Sequence, residues 1–255
     1  MERKIATTNL KKDWENTLTI TQLILTTAGT NNTIITMTGI GGIIIPALSL
    51  ILTLCIGAVQ PDYNPVKQTI SELVYYPQGW LQTTDFIALG AWLVLLAIRF
   101  NAEFARRITT RIAIMIIGFI GLDFFVIAAF PTAYMGAEKT LTGEIHEKAA
   151  QIICLLFPVL CCLIAREFKV RNYWKKLAVF TELTAVAGFI LAVIGAVVMV
   201  NDAAGLGLIE RLIMLNAIIW FVVVGIHLYR GEHRTNRRPL HGVAHGMVAV
   251  RQTTR

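Results

Sequence analysis

Six stretches of nearly unbroken apolar residues constrain this chain more than anything else in it. They run at about 34–58, 82–98, 112–131, 149–165, 177–200 and 207–229. Each is about 17–25 residues long, enough for a helix rising 1.5 Å per residue to cross about 30 Å of hydrocarbon. The 255-residue chain is 55% apolar and only 15% charged, whereas soluble domains carry about 25% charged residues. One soluble core could not be clothed with so little polar surface, and the clustering into blocks favours spans over a buried core. The expected fold is all-α: a polytopic bundle of six transmembrane helices, with membrane lipids as immediate partners.

The first block follows 33 mostly polar residues. That lead is too long for an ordinary secretory signal, and no cleaved peptide is expected. Residues 1–33 read as a polar amino-terminal segment, 34–229 as the membrane domain and 230–255 as a basic tail. Lys and Arg fall mainly on one side of the bundle. Arg3, Lys4, Lys11 and Lys12 precede the first span, and Arg99, Arg106, Arg107 and Arg111 join the second to the third. Arg166, Lys169, Arg171, Lys175 and Lys176 join the fourth to the fifth, and the tail adds six arginines from Arg230 to Arg255. Only Lys67, Lys139, Lys148 and Arg211 remain for the other side. By the positive-inside rule both termini are cytoplasmic. The net charge of +7 then reports orientation and attraction to anionic headgroups. Nucleic acid is not an expected partner, because the basic residues are divided among short separate loops.

Several motif-like features have bland readings. Cys55, Cys154, Cys161 and Cys162 lie inside predicted spans without the paired spacing of a zinc or redox site, and read as packing residues. Thr38-Gly-Ile-Gly-Gly lacks the Lys-Ser/Thr of a phosphate loop. His241 and His245 have helical metal-ligand spacing but lie beside Gly242 and Gly246 with no Glu between them, as in a tail. No metal site is assigned, and no cofactor is legible. Gly188, Ala192 and Ala196, Gly118 and Gly121, and Gly39, Gly41 and Gly42 are small residues of the kind that let helices approach closely in lipid.

The longest outer loop, 58–80, should hold its own short helix. Asn64 suits a cap, Pro65 the first helical position, and Val66, Ile70, Leu73 and Val74 share a face. The expectation is an amphipathic helix lying on the outer surface, with Ser71 and Glu72 off its apolar face.

The residue hardest to reconcile with lipid is Asp123, near the middle of the third block. A charge there costs about 2.5–3.5 kcal/mol on insertion scales. Once the topology is drawn, other polar groups gather on the same side: Asp62, Ser71, Glu72, Asp85, Glu144, His146, Glu147, Glu210 and Arg211. Arg211 and His146 are the natural partners for Asp123 and Glu210 in an ion-pair network. The alternative is an outward-facing pocket in which Asp62, Glu72, Asp85, Glu210 and Arg211 help bind a lipid, small ligand or protein partner. Catalytically, Ser71, His146 and Asp123 supply the types of a nucleophile, base and orienter. His146, Asp123 and Glu144 could instead hold a metal with a nucleophilic water. Elsewhere, Glu182 is expected to meet Lys175 or Lys176, and Asn216 and His227 to make interhelical or interfacial contacts.

These residues carry a resemblance. Pro61-Asp-Tyr-Asn-Pro through Ile70-Ser-Glu-Leu, Asp85-Phe, Gly121-Leu-Asp through Phe130-Pro-Thr, His146 and Glu210-Arg resemble the prokaryotic membrane family called domain-of-unknown-function 998. The resemblance covers about residues 35–230 and implies a compact six-helix bundle in a prokaryotic plasma membrane. It implies no activity. The Ser, Asp and His content also echoes ceramidase-like transmembrane hydrolases, but the last span lacks their His pair four residues apart. Ligand binding in a membrane bundle is thus the first functional expectation. Hydrolysis of a lipid-like substrate is the second, and transport a third without a broken-helix pair to support it. A protein partner or second copy of the chain stays open.

Overall fold

The computed structural model describes residues 37–104, 107–134, 137–138, 140–201 and 204–236. The polar segment 1–33 and the pair His241 and His245 lie outside them. Six helices account for nearly all the rest: α1 (Met37–Val59), α2 (Gly79–Phe104), α3 (Ile108–Ala129), α4 (Leu141–Val170), α5 (Lys175–Val200) and α6 (Leu206–Asn236). Each contains a stretch long and apolar enough to cross a membrane. Several outrun their apolar blocks because polar first and last turns continue the helix. α4 starts eight residues earlier than its block, where Thr140 accepts from the Gly143 amide at 3.1 Å and caps the helix.

Consecutive helices from α2 to α6 pack on one another, and α1 closes the bundle against α2 and α6. The tightest crossings are made by glycine. A Cβ added to Gly225 would lie 2.6 Å from the Gly42 carbonyl carbon, and one on Gly90 would lie 2.7 Å from the Gly121 oxygen. Small residues are what let helices meet where lipid supplies no hydrophobic drive. The expected α5 stripe is only partly used this way. Gly188 packs against Pro158 and Asn216, and Gly195 against Ile209 and Ile213. Ala196 is exposed, because the face α5 buries repeats every seven residues rather than every four. Val179, Leu183, Val186, Ile190, Val193 and Val197 form its outward apolar face, as expected for a surface solvated by lipid tails.

The two ends of the bundle differ. One end carries Arg99, Arg107, Arg111, Arg166, Lys169, Arg171, Lys175, Lys176 and Arg230 among the described residues. There Phe100, Phe104, Phe168 and Trp174 form an aromatic cluster, with Phe168 and Trp174 stacked at 4.6 Å. Trp174 donates to Glu103 at 2.8 Å, and Glu103 pairs with Arg99. The buried Glu167 accepts from Thr110 at 3.1 Å and from Arg171 at 2.8 Å. The His227 ring lies tilted against Tyr173 and Trp174, with centroids 4.0 and 4.7 Å away. Glu182 pairs with Lys169 at 2.5 Å, not with Lys175 or Lys176 as expected. The partner comes across from the end of α4, since α4 and α5 run antiparallel. Asn216 donates to the Thr184 carbonyl at 3.1 Å, the interhelical bond foreseen for it.

The opposite end gathers the segment 60–78, residues 130–134 and the start of α6. This end holds the candidate site.

Candidate functional site

The segment between α1 and α2 does not form the expected amphipathic surface helix. Asn64 does act as a cap, its Oδ1 accepting from Val66 and Lys67 at 3.0 and 3.2 Å. But the only helical piece is a 3-10 turn, Ser71–Tyr75. Ser71 and Glu72, expected off the apolar face, are buried, and Val66 is exposed. The segment folds back onto the bundle because α6 offers its backbone better partners than a lipid surface would.

Those partners are two adjacent residues. Arg211 Nη1 donates to the carbonyls of Pro65 at 2.8 Å, Gln68 at 3.0 Å and Gly207 at 2.8 Å, and its other terminal nitrogen donates to the Tyr63 hydroxyl. Glu210 accepts from the Ile70 amide at 2.5 Å and from Ser71 Oγ at 3.5 Å. The Leu208 amide, at the start of α6 where intrahelical acceptors are missing, donates to Val66 at 3.1 Å. Gly207 makes the approach possible, since a Cβ there would lie 2.1 Å from the Gln68 oxygen. Tyr63 donates to the Thr69 carbonyl at 2.8 Å. Burial pushes its phenol pKa from 10 up to about 12, outweighing the bond and charge of Arg211, which pull it down. Glu72 is satisfied locally by the Thr69 amide and hydroxyl at 2.9 and 3.1 Å. Tyr75 donates to the Thr132 carbonyl, tying the segment to residues 130–134. Asp62 is exposed and stands apart from these groups.

A second polar group lies between α1 and α2. Asp85 accepts from Ser49 Oγ at 2.6 Å, and Gln82 accepts from Thr53 at 3.5 Å, all four side chains buried. Ser49 and Thr53 are unremarkable in the sequence. Only the helical spacing shared by Ser49 with Thr53, and by Gln82 with Asp85, hints that they meet.

His146 and Asp123 do not pair with each other, nor Asp123 with Arg211. His146 Nδ1 bonds the Phe130 carbonyl at 2.7 Å, one of the carbonyls that the end of α3 leaves without an intrahelical donor. With the proton on Nδ1, Nε2 is an acceptor, buried without a partner among the described residues. Arg211 is committed to the loop carbonyls, and Glu210 to the loop amide and hydroxyl. Each of these side chains thus serves backbone groups that a helix end or loop leaves open. No hydrogen bond joins Ser71, His146 and Asp123, and Ser71 turns to Glu210 instead of His146. Among the described residues no group of three or more His, Cys, Asp or Glu side chains is placed to hold a metal.

Like His146, Asp123 keeps a buried polar atom without a partner among the described residues. It is 6% exposed, and its Oδ2 is buried with no hydrogen-bond partner among the described residues. It is one of nine residues lining an open cavity of about 610 Å³ between α3 and α4. Val126, Leu141, Ile145, Ala149 and Ile152 supply the apolar lining, and Glu144, Glu147 and Lys148 the remaining charges. Glu147 and Lys148 both engage Gln151, at 3.0 and 3.1 Å. Gln151 also reaches the Met199 sulfur on α5.

Comparison with known proteins places the chain in a family. A family model described as "Protein of unknown function (DUF998)" matches residues 43–227. That match includes most of the six-helix bundle and all of the residues just described, and the chain belongs to this family. No curated protein and no solved structure matches it. With six apolar spans and this family, the chain is a multi-pass membrane protein.

Proposed function

We propose that this member of the DUF998 family binds an amphiphile from the surrounding bilayer in the α3–α4 cavity, with Asp123 as the polar anchor. One observation carries the reading: a buried carboxylate oxygen without a partner, in the wall of a cavity of about 610 Å³. An ionisable group within a span costs free energy unless something hydrates or pairs with it, and among the described residues none bonds Asp123 Oδ2. The volume falls in the range of small-molecule sites, about 300–1,000 Å³, which are mostly apolar with a few placed polar groups. The distribution of Lys and Arg supports an orientation in which the cavity end faces outward and the basic end faces the cytoplasm. The clamp of Arg211 and Glu210 on the segment 60–78 is, in this reading, scaffolding for that end of the bundle. No specific observation favours hydrolysis through Ser71 or a metal-bound water.

The test is native mass spectrometry with lipid identification on protein extracted in mild detergent. Binding predicts a stoichiometric retained amphiphile that is lost in Asp123→Ala while the protein stays folded. Wild-type protein without a retained amphiphile, or an Asp123→Ala variant that retains it unchanged, would overturn the reading.

A further inference from the structure

The chemistry of the cavity wall narrows what its occupant carries, on the premise that the cavity binds an amphiphile at all. From the side chains that line it, we infer that the headgroup is a protonated amine bearing N–H donors, attached to an apolar tail.

Among the described residues three carboxylates line the cavity, Asp123, Glu144 and Glu147, with one ammonium, that of Lys148. An ionised carboxylate accepts hydrogen bonds and donates none. Lys148 is bonded to Gln151 Oε1 at 3.1 Å, and Glu147 is held by the Gln151 amide at 3.0 Å. The demand for a donor therefore centres on Asp123, whose Oδ2 is enclosed and unpartnered. A primary ammonium supplies three donors and a positive charge in a group small enough to reach a nearly buried carboxylate. A charge-assisted N–H···O bond is about twice as strong as a neutral one. A quaternary ammonium offers the charge without the donors. A phosphate or carboxylate headgroup brings more acceptors and a charge of the wrong sign. The tail is accommodated by Val126, Leu141, Ile145 and Ile152, of which Leu141 and Ile152 are exposed on the outside of the bundle. A chain leaving the cavity there would pass between lipid tails.

An aminolipid and a free alkylamine share this chemistry, so the experiment needs both. Purified protein is challenged, below micelle formation, with dodecylamine, dodecyltrimethylammonium, dodecanol and dodecanoate, and thermal stability is followed for each. In parallel, nanodiscs of equal phosphatidylethanolamine and phosphatidylcholine are dissolved in mild detergent and the retained lipid is identified by native mass spectrometry. The inference expects dodecylamine to raise the melting temperature in a saturable way, with at least tenfold tighter binding than the other three compounds. Asp123→Asn should abolish that preference. Glu144→Gln, at an exposed position, should weaken dodecylamine binding several-fold even if Asp123→Asn does not fold. Retention of phosphatidylethanolamine over phosphatidylcholine would identify a membrane lipid as the source. Retention of neither lipid, with dodecylamine still preferred, would identify a free amine. Binding of dodecanol or dodecyltrimethylammonium as tight as that of dodecylamine would overturn the amine headgroup and leave amphiphile binding standing. Failure of all four compounds and both lipids would overturn both.

Discussion

Gly207 and Gln68 meet so closely that a single Cβ on Gly207 would lie 2.1 Å from the Gln68 carbonyl oxygen. One turn further along α6, Arg211 donates to that same oxygen at 3.0 Å. The glycine opens the gap and the arginine closes it with hydrogen bonds. Backbone groups of Pro65, Val66, Gln68 and Ile70 thereby find their partners on α6. Gly207→Ala should force the segment away, and Arg211→Ala should leave the carbonyls of Pro65 and Gln68 without their donor. Hydrogen bonds to charged groups contribute about 1.5–3 kcal/mol, so each variant should lose stability on that scale. Limited proteolysis should cut both variants between residues 60 and 78 at concentrations that leave the native protein intact. Arg211→Lys should rescue only in part, because an ammonium cannot reproduce the fork of a guanidinium.

The Gly42–Gly225 crossing makes a separate prediction. No side chain fits between these backbones, since a Cβ on Gly225 would lie 2.6 Å from the Gly42 carbonyl carbon. Overpacking a tight core costs about 1–3 kcal/mol. Gly225→Ala should lower the melting temperature in detergent. Gly118→Ala should be close to neutral, because its nearest neighbour would be the Ala97 Cβ at an ordinary 3.6 Å.

Tyr63 supplies a pH dependence with a definite sign. Its pKa is raised in the folded state, from 10 to about 12, by burial. The folded protein therefore holds the phenolic proton more tightly than the unfolded chain does. The associated stability is fully present below pH 10 and is lost as the pH rises towards 12. The difference in melting temperature between the native protein and Tyr63→Phe should be constant up to pH 10 and shrink above it. A difference that grows through that window would contradict the assignment.

The six helices were legible because lipid leaves a chain few choices. Backbone groups in hydrocarbon must pair within the segment, so long apolar blocks become helices whatever their detail. The contacts at the candidate site were harder to foresee. Val66, Ile70, Leu73 and Val74 do have helical spacing, yet the segment adopts turns. That spacing cannot reveal that Arg211 and Glu210, over 130 residues later, offer it hydrogen bonds. For the same reason Arg211 and His146 looked like partners for Asp123. Charge complementarity ignores the open carbonyls of the segment 60–78 and of the α3 end, which claim both side chains. Asp123 itself stood out at once, because a carboxylate within an apolar block is conspicuous without any structure. Its location in a cavity wall, and the service of Ser49 to Asp85, depend on helix rotation, which composition does not set.

The occupancy of the α3–α4 cavity is tested most directly by photocrosslinking from within it. A benzophenone amino acid replaces Ile145, which lines the cavity, or Val186, which lies on the outward face of α5. After extraction and exhaustive detergent exchange, the protein is irradiated and its intact mass measured. Amphiphile binding predicts a lipid-sized adduct at Ile145 and none at Val186. Equal adducts at both positions, or none at Ile145, would contradict it.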